Sequence, residues 1–170
     1  ALRKLKEEQL RAEAARLKAL QDKVESELQN NAKFAQFASQ IKMDMTRDGL
    51  RIQIVDELAR PMFDSGSAVV KPYMRELLRA IGSVLVEVPN RITLEGHTDA
   101  QPFGGGERGY SNWELSSDRA NASRRELVAG GLTEDRVLRV QGLASSMPFN
   151  KEDPLDPQNR RISLIVMNRE

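Results

Sequence analysis

With 170 residues, 39% of them hydrophobic and 30% charged, the chain has the size and composition of one soluble domain plus an appendage. The formal net charge is +1, with no basic surplus to neutralise phosphates, which argues against a nucleic-acid partner. Cysteine is absent and His97 is the sole histidine, so disulfides and thiolate metal sites are excluded and neither a metal nor a cofactor is expected.

Residues 1–29 are rich in Ala, Leu, Glu, Lys, Arg and Gln and hold no Gly or Pro, which predicts one long helix. Leu10, Leu17 and Val24 repeat every seven residues, but Lys6, Glu13 and Glu27 interrupt the seam. The helix reads as a spacer, with a dimer coiled coil as the alternative. It opens at Ala1 without an initiator methionine, as a piece of a longer protein would, and no apolar run approaches the ~20 residues that span a bilayer. Phe34, Phe37, Ala38 and Ile41 continue a helical stripe that could dock on a domain.

Asp48-Gly49 is a turn signal, and Leu50, Ile52 and Ile54 alternate with polar residues as a strand does. A loop over 61–67 follows. Pro72 then opens a strongly amphipathic helix through Met74, Leu77, Leu78, Ile81 and Leu85, which Pro89-Asn90 ends. A second strand runs through Ile92 and Leu94 to His97. Ser111-x-x-Glu114 fits a capping box, and Gly130-Gly131 closes the helix it starts. Strands over 136–143 and through Ile162, Leu164 and Val166 flank a loop containing Pro148, Pro154 and Pro157. The order helix, β, α, β, α, β, β predicts an α/β (α+β) two-layer sandwich, with helices on one face of a mixed β-sheet and an N-terminal linker helix.

The stretch from Gly96 to Ala120 carries the chemistry. Asp99 ends a strand, where it is either a turn-former or a carboxylate offered to a cation. Asn112, Ser116, Arg119, Ser123 and Glu126 share one helix face, which reads as a solvated stripe or as a lining. An acid and a guanidinium held apart suit a ligand bearing an amine and a carboxylate on one carbon. No Gly-x-Ser-x-Gly motif or cysteine nucleophile accompanies His97 and Asp99, so a binding protein is expected rather than an enzyme. Gly104-Gly105-Gly106 lacks the spacing of a phosphate loop.

Gly96-His97-Thr98-Asp99 and Asn112-Trp113-Glu114-Leu115-Ser116-Ser117-Asp118-Arg119-Ala120 resemble the core pattern of the OmpA-like peptidoglycan-binding family. Phe63-Asp64-Ser65-Gly66-Ser67 resembles its first loop and Asn159-Arg160-Arg161 the start of its last strand, so the likeness covers roughly 48–168. The phrases Ala59-Arg60-Pro61-Met62-Phe63, Tyr110 to Ser116 and Asn121 to Leu127 are most similar to the flagellar-stator branch of that family. The resemblance implies a non-catalytic anchor of the motor stator, in the periplasmic part of a single-pass inner-membrane protein. Residues 1–45 would be its linker and packing helix and 46–170 its wall-binding domain. A cell-wall tether of a non-motor envelope protein is the alternative. It implies that Asp99 binds the ammonium and Arg119 the carboxylate of diaminopimelate in peptidoglycan stems. Thr98, Asn112, Leu115 and Ser116 would line the pocket, the last two through backbone groups, and Arg161 would border it. It further implies a homodimer and a MotA-type channel subunit as partner. The segment from Asp99 to Asn112 is longer than the family's ordinary loop, so its glycines are expected to gate the pocket or shift Asp99.

Overall fold

A computed structural model of the chain describes residues 1–103 and 109–169. The run without Gly or Pro forms α1 (Leu2–Asn30), and a four-residue α2 (Ala32–Ala35) follows, capped by the Asn31 side chain. Then come β1 (Ile41–Met45), β2 (Gly49–Val55), α3 (Pro72–Leu85), β3 (Ile92–His97), α4 (Asn112–Ala129), β4 (Val137–Gly142) and β5 (Arg161–Met167). The sheet order is β1-β2-β5-β3-β4; β3 and β4 are parallel and the other pairs antiparallel. The parallel pair is joined by α4, as a crossover requires.

Pleating divides the sheet into two unlike faces. Leu50, Ile52, Ile54, Ile92, Leu94, Ile162, Leu164 and Val166 share one face and build a single core with α3, α4 and α1. The opposite face carries Arg51, Gln53, Thr93, Glu95, His97, Arg161 and Ser163. There Gln53 Oε1 accepts from Arg161 Nε at 2.8 Å and Ser163 Oγ at 3.1 Å.

Two expectations change. Ile41 is not the end of a helical stripe: it opens β1, which pairs residue for residue with β2 from Ile41↔Ile54 to Met45↔Leu50. A boundary at 45/46 therefore falls inside a hairpin. The heptad seam of α1 is likewise no free surface. Leu17, Leu20, Val24 and Leu28 are buried in the domain core, whereas Leu10 is 71% exposed. Each buried aliphatic contributes about 1.5–3 kcal/mol, enough to hold the helix down. Glu13 accepts from Asn90 Nδ2, and Lys23 pairs with Glu87. Among the described residues no helix is long and apolar enough to cross a membrane.

Candidate functional site

The end of β3 and the start of α4 lie side by side because α4 approaches the sheet very closely. A Cβ on Gly96 would overlap the Ser116 carbonyl oxygen, so glycine there sets the distance between strand and helix. The capping box starts α4 at Ser111: its hydroxyl accepts from Trp113 N, and its own N–H donates to Glu114. Arg119 then falls about two turns along, on the face turned to the sheet rim.

Past His97 the alternation of β3 stops. Thr98 N donates to Ala144 O and Ala100 N to Pro154 O, both at 2.9 Å, and Asp99 turns inward between them. Asp99 is 7% exposed. One of its oxygens accepts from Gln101 N at 3.0 Å, the other from Arg160 Nη1 at 2.8 Å. Arg160 Nε also donates to Asp56 at 2.9 Å, and the second Asp56 oxygen accepts from Met62 N at 2.6 Å. Arg119, also 7% exposed, donates from Nε to Ser67 O at 2.8 Å and from Nη2 to Asp64 O at 3.2 Å. Its guanidinium lies 4.9 Å over the Phe63 ring.

These four charged side chains line an open cleft of about 740 Å³, with Thr98, Asn112, Leu115 and Phe63 on its walls. Asp64 at its rim is paired with Lys71. Burial pushes the Asp56 carboxyl above the ordinary range, although the Met62 N–H and Arg160 work against it. Burial likewise lowers the Arg119 guanidinium, with Asp56 opposing. Burial also disfavours the Arg160 cation, but hydrogen bonds to Asp56 and Asp99 outweigh it and its pKa is raised. The cleft thus offers fixed charges of both signs. Among the described residues no cluster of three metal-ligating side chains exists.

Of the residues singled out from sequence, Thr98, Asp99, Asn112, Leu115 and Arg119 meet in this cleft. The Leu115 N–H is taken by Ser111 O within the helix. Ser116 lies behind the cleft, fully buried: its hydroxyl donates to Trp113 O and accepts from Ala144 N. Through Ala144, whose carbonyl takes the Thr98 N–H, it positions the Asp99 turn. Arg161 is not on the cleft wall itself but lines a small adjoining space with Asp56, Phe63, Arg119 and Arg160. It shares parity with Ser163, not with Ile162, and so points to the polar sheet face, donating to Gln53, Asn159 O and Met147 O. Burial there lowers its pKa to about 10. Its neighbour Arg160 takes the cleft position, and alternation past the β5 start could have assigned it. Asp56, one residue beyond β2, was signalled by nothing in the pattern. His97 is on the polar face; its Nε2 is 3.7 Å from Glu95, too long for a hydrogen bond and an ion pair only when the imidazole is protonated. The stripe of Ser116, Arg119 and Ser123 is buried, not solvated. Gly104 to Gly106, expected to gate the pocket, lie outside the described residues.

A model of the OmpA family matches residues 62–161. The chain belongs to the OmpA family. The matched segment contains Asp99, Arg119 and Arg160 but stops short of Asp56 and α1. This OmpA-family chain is 52% identical over 160 residues to Motility protein B of Escherichia coli strain K12, an alignment covering 94% of this chain and 52% of that protein. It therefore spans about half the length of the curated relatives it matches. Among solved structures, a MotB-like protein from Desulfovibrio vulgaris superposes with a TM-score of 0.75 at 17% identity, covering 94% of this chain and 98% of that one, a likeness of fold. The cell wall anchor of the T6SS from Pseudomonas aeruginosa superposes with a TM-score of 0.64 at 26% identity, covering 78% and 90%.

Proposed function

We propose that this chain is the wall-binding part of a MotB-type stator subunit, a non-catalytic anchor that fixes an ion-driven motor unit to peptidoglycan. The observation that carries this reading is the pair Asp99 and Arg119, buried and of opposite charge in one cleft. The 52% identity to Motility protein B over 94% of the chain supports the motor assignment. In this reading Asp99 takes the ammonium of a diaminopimelate end and Arg119 Nη1 its carboxylate, by charge-assisted hydrogen bonds. Thr98, Asn112 and Leu115 shape the pocket, and Ser116 holds the Asp99 turn. The sheet and its helices form the wall-binding unit, and the exposed first half of α1 leads towards the rest of the protein. A homodimer, a MotA-type channel subunit and a membrane segment outside this chain complete the assembly, which places the domain in the periplasm.

A motor-free cell-wall tether is the second reading, favoured by the likeness to the secretion-system wall anchor. Sacculus co-sedimentation and swimming, measured for the full-length protein with Asp99→Ala or Arg119→Lys, separate the two. Loss of both phenotypes with protein levels unchanged supports the stator anchor. Loss of sedimentation with normal swimming supports the tether. Retention of both by both variants rejects the cleft.

A further inference from the structure

Asp99 does not wait for a ligand as a bare carboxylate. Arg160 already occupies one of its oxygens at 2.8 Å, and Asp56 holds that arginine in place from the other side at 2.9 Å. Asp56 also fixes the arginine's backbone, because its N–H donates to Arg160 O at 2.9 Å. The arginine is therefore clamped between two carboxylates inside the cleft wall. Asp56 and Asp99 balance Arg119 and Arg160, and Asp64 is balanced by Lys71, so the set facing a ligand is electrically neutral.

A neutral, partly desolvated set discriminates by the net charge of what enters it. A bare amine leaves one uncompensated cation beside Arg160. A zwitterionic end brings its own anion, leaves the set neutral, and offers that anion to the two arginines. We infer that Arg160 is a specificity-determining residue: as the resident cation on Asp99, it makes the cleft select amino-carboxylate ends over simple amines. This rests on the wall-stem reading proposed above, and it adds a selecting device distinct from the contact made by Arg119. Removing Arg119 costs the zwitterion its carboxylate partner. Removing the Arg160 charge instead leaves the set at net negative, so a bare amine gains.

The test uses the 170-residue chain and two tripeptides, L-Ala-γ-D-Glu-diaminopimelate and L-Ala-γ-D-Glu-L-Lys, titrated by calorimetry into wild type, Arg160→Gln, Arg160→Lys and Asp56→Asn. The wild type should favour the diaminopimelate stem by about tenfold or more. In Arg160→Gln that ratio should fall to within about threefold, and the lysine stem should bind more tightly than it does to wild type. Arg160→Lys, which keeps the charge, should keep the preference; Asp56→Asn, which leaves the set net positive, should widen it. Equal weakening of both stems in Arg160→Gln, or an unchanged ratio, overturns the inference while leaving the wall-stem reading intact. Equal binding of the two stems by wild type also overturns it. Failure of wild type to bind either stem overturns both. Circular dichroism reports folding; if Arg160→Gln is unfolded, a ratio that does not widen in Asp56→Asn is the overturning result.

Discussion

Arg119 builds part of the cleft wall. Two of its nitrogens hold the carbonyls of Ser67 and Asp64, which shapes the loop that walls the cleft. Truncation to alanine strands those contacts and should lower stability by about 1–3 kcal/mol, read as a shifted urea midpoint. Asp99→Asn keeps the Gln101 contact but sets an amide NH2 against Arg160 Nη1, so it should cost about 1–3 kcal/mol while abolishing recognition of an ammonium. His97 has a pH signature of its own. Burial holds its pKa below 6.5, with Glu95 pulling the other way and Arg161 and Arg51 adding to the depression. The unfolded chain takes up that proton near its ordinary value, before the folded chain does. The contribution of His97 is therefore complete above pH 6.5 and is lost as pH falls through the lower folded value. Asp56, raised in the folded state, works in the opposite sense in the acid range above 3.8. His97→Gln should flatten the loss of stability between about pH 8 and about pH 5 relative to wild type. At this scale the sequence made Asp99 and Arg119 readable through their strand end and helix face. It left Arg160 unassigned, although β5 alternation carried one residue back from Arg161 puts Arg160 on the opposite side, towards the cleft.

The seat of α4 is a backbone-to-backbone contact, so it is sensitive to one methyl group. Gly96→Ala should force the helix away from β3 and cost about 1–3 kcal/mol, with the Asp99–Arg119 spacing disturbed as well. Differential calorimetry and stem titration of the same variant should move together. The docked half of α1 makes an opposite pair of expectations. Leu17→Ala opens a hole in the core and should cost about 2–5 kcal/mol. Leu10→Ala, on an exposed residue, should stay within about 0.5 kcal/mol. Alternation made β2, β3 and β5 legible and amphipathic spacing α3, while α4 was legible from its capping box and Gly130-Gly131. β1 was not, because Phe34, Phe37 and Ile41 happen to fall at helical spacing while its own alternation, Ile41, Met43 and Met45, spans five residues. The helix-face polar stripe misled for a related reason. Small serines at 116 and 123 are buried to let α4 lie close to its neighbours, a packing role that residue polarity conceals.

For the whole molecule, the decisive property is that four distant segments converge on one cleft. The exit of β2 supplies Asp56, β3 delivers Asp99, α4 carries Arg119, and the approach to β5 supplies Arg160, which ties the two aspartates together. The fold exists independently of any ligand, since the apolar core lies on the helix-covered sheet face and the charges lie at its rim. Recognition should therefore occur without large rearrangement of the sheet. The most direct test is a backbone-amide NMR titration of the chain with the diaminopimelate tripeptide, in wild type and in Asp99→Asn. The account predicts saturable shifts confined to residues around Asp56, Thr98–Gln101, Asn112–Arg119 and Arg160 in wild type, and none in the variant. Shifts centred elsewhere, or identical titrations for the two proteins, would contradict it.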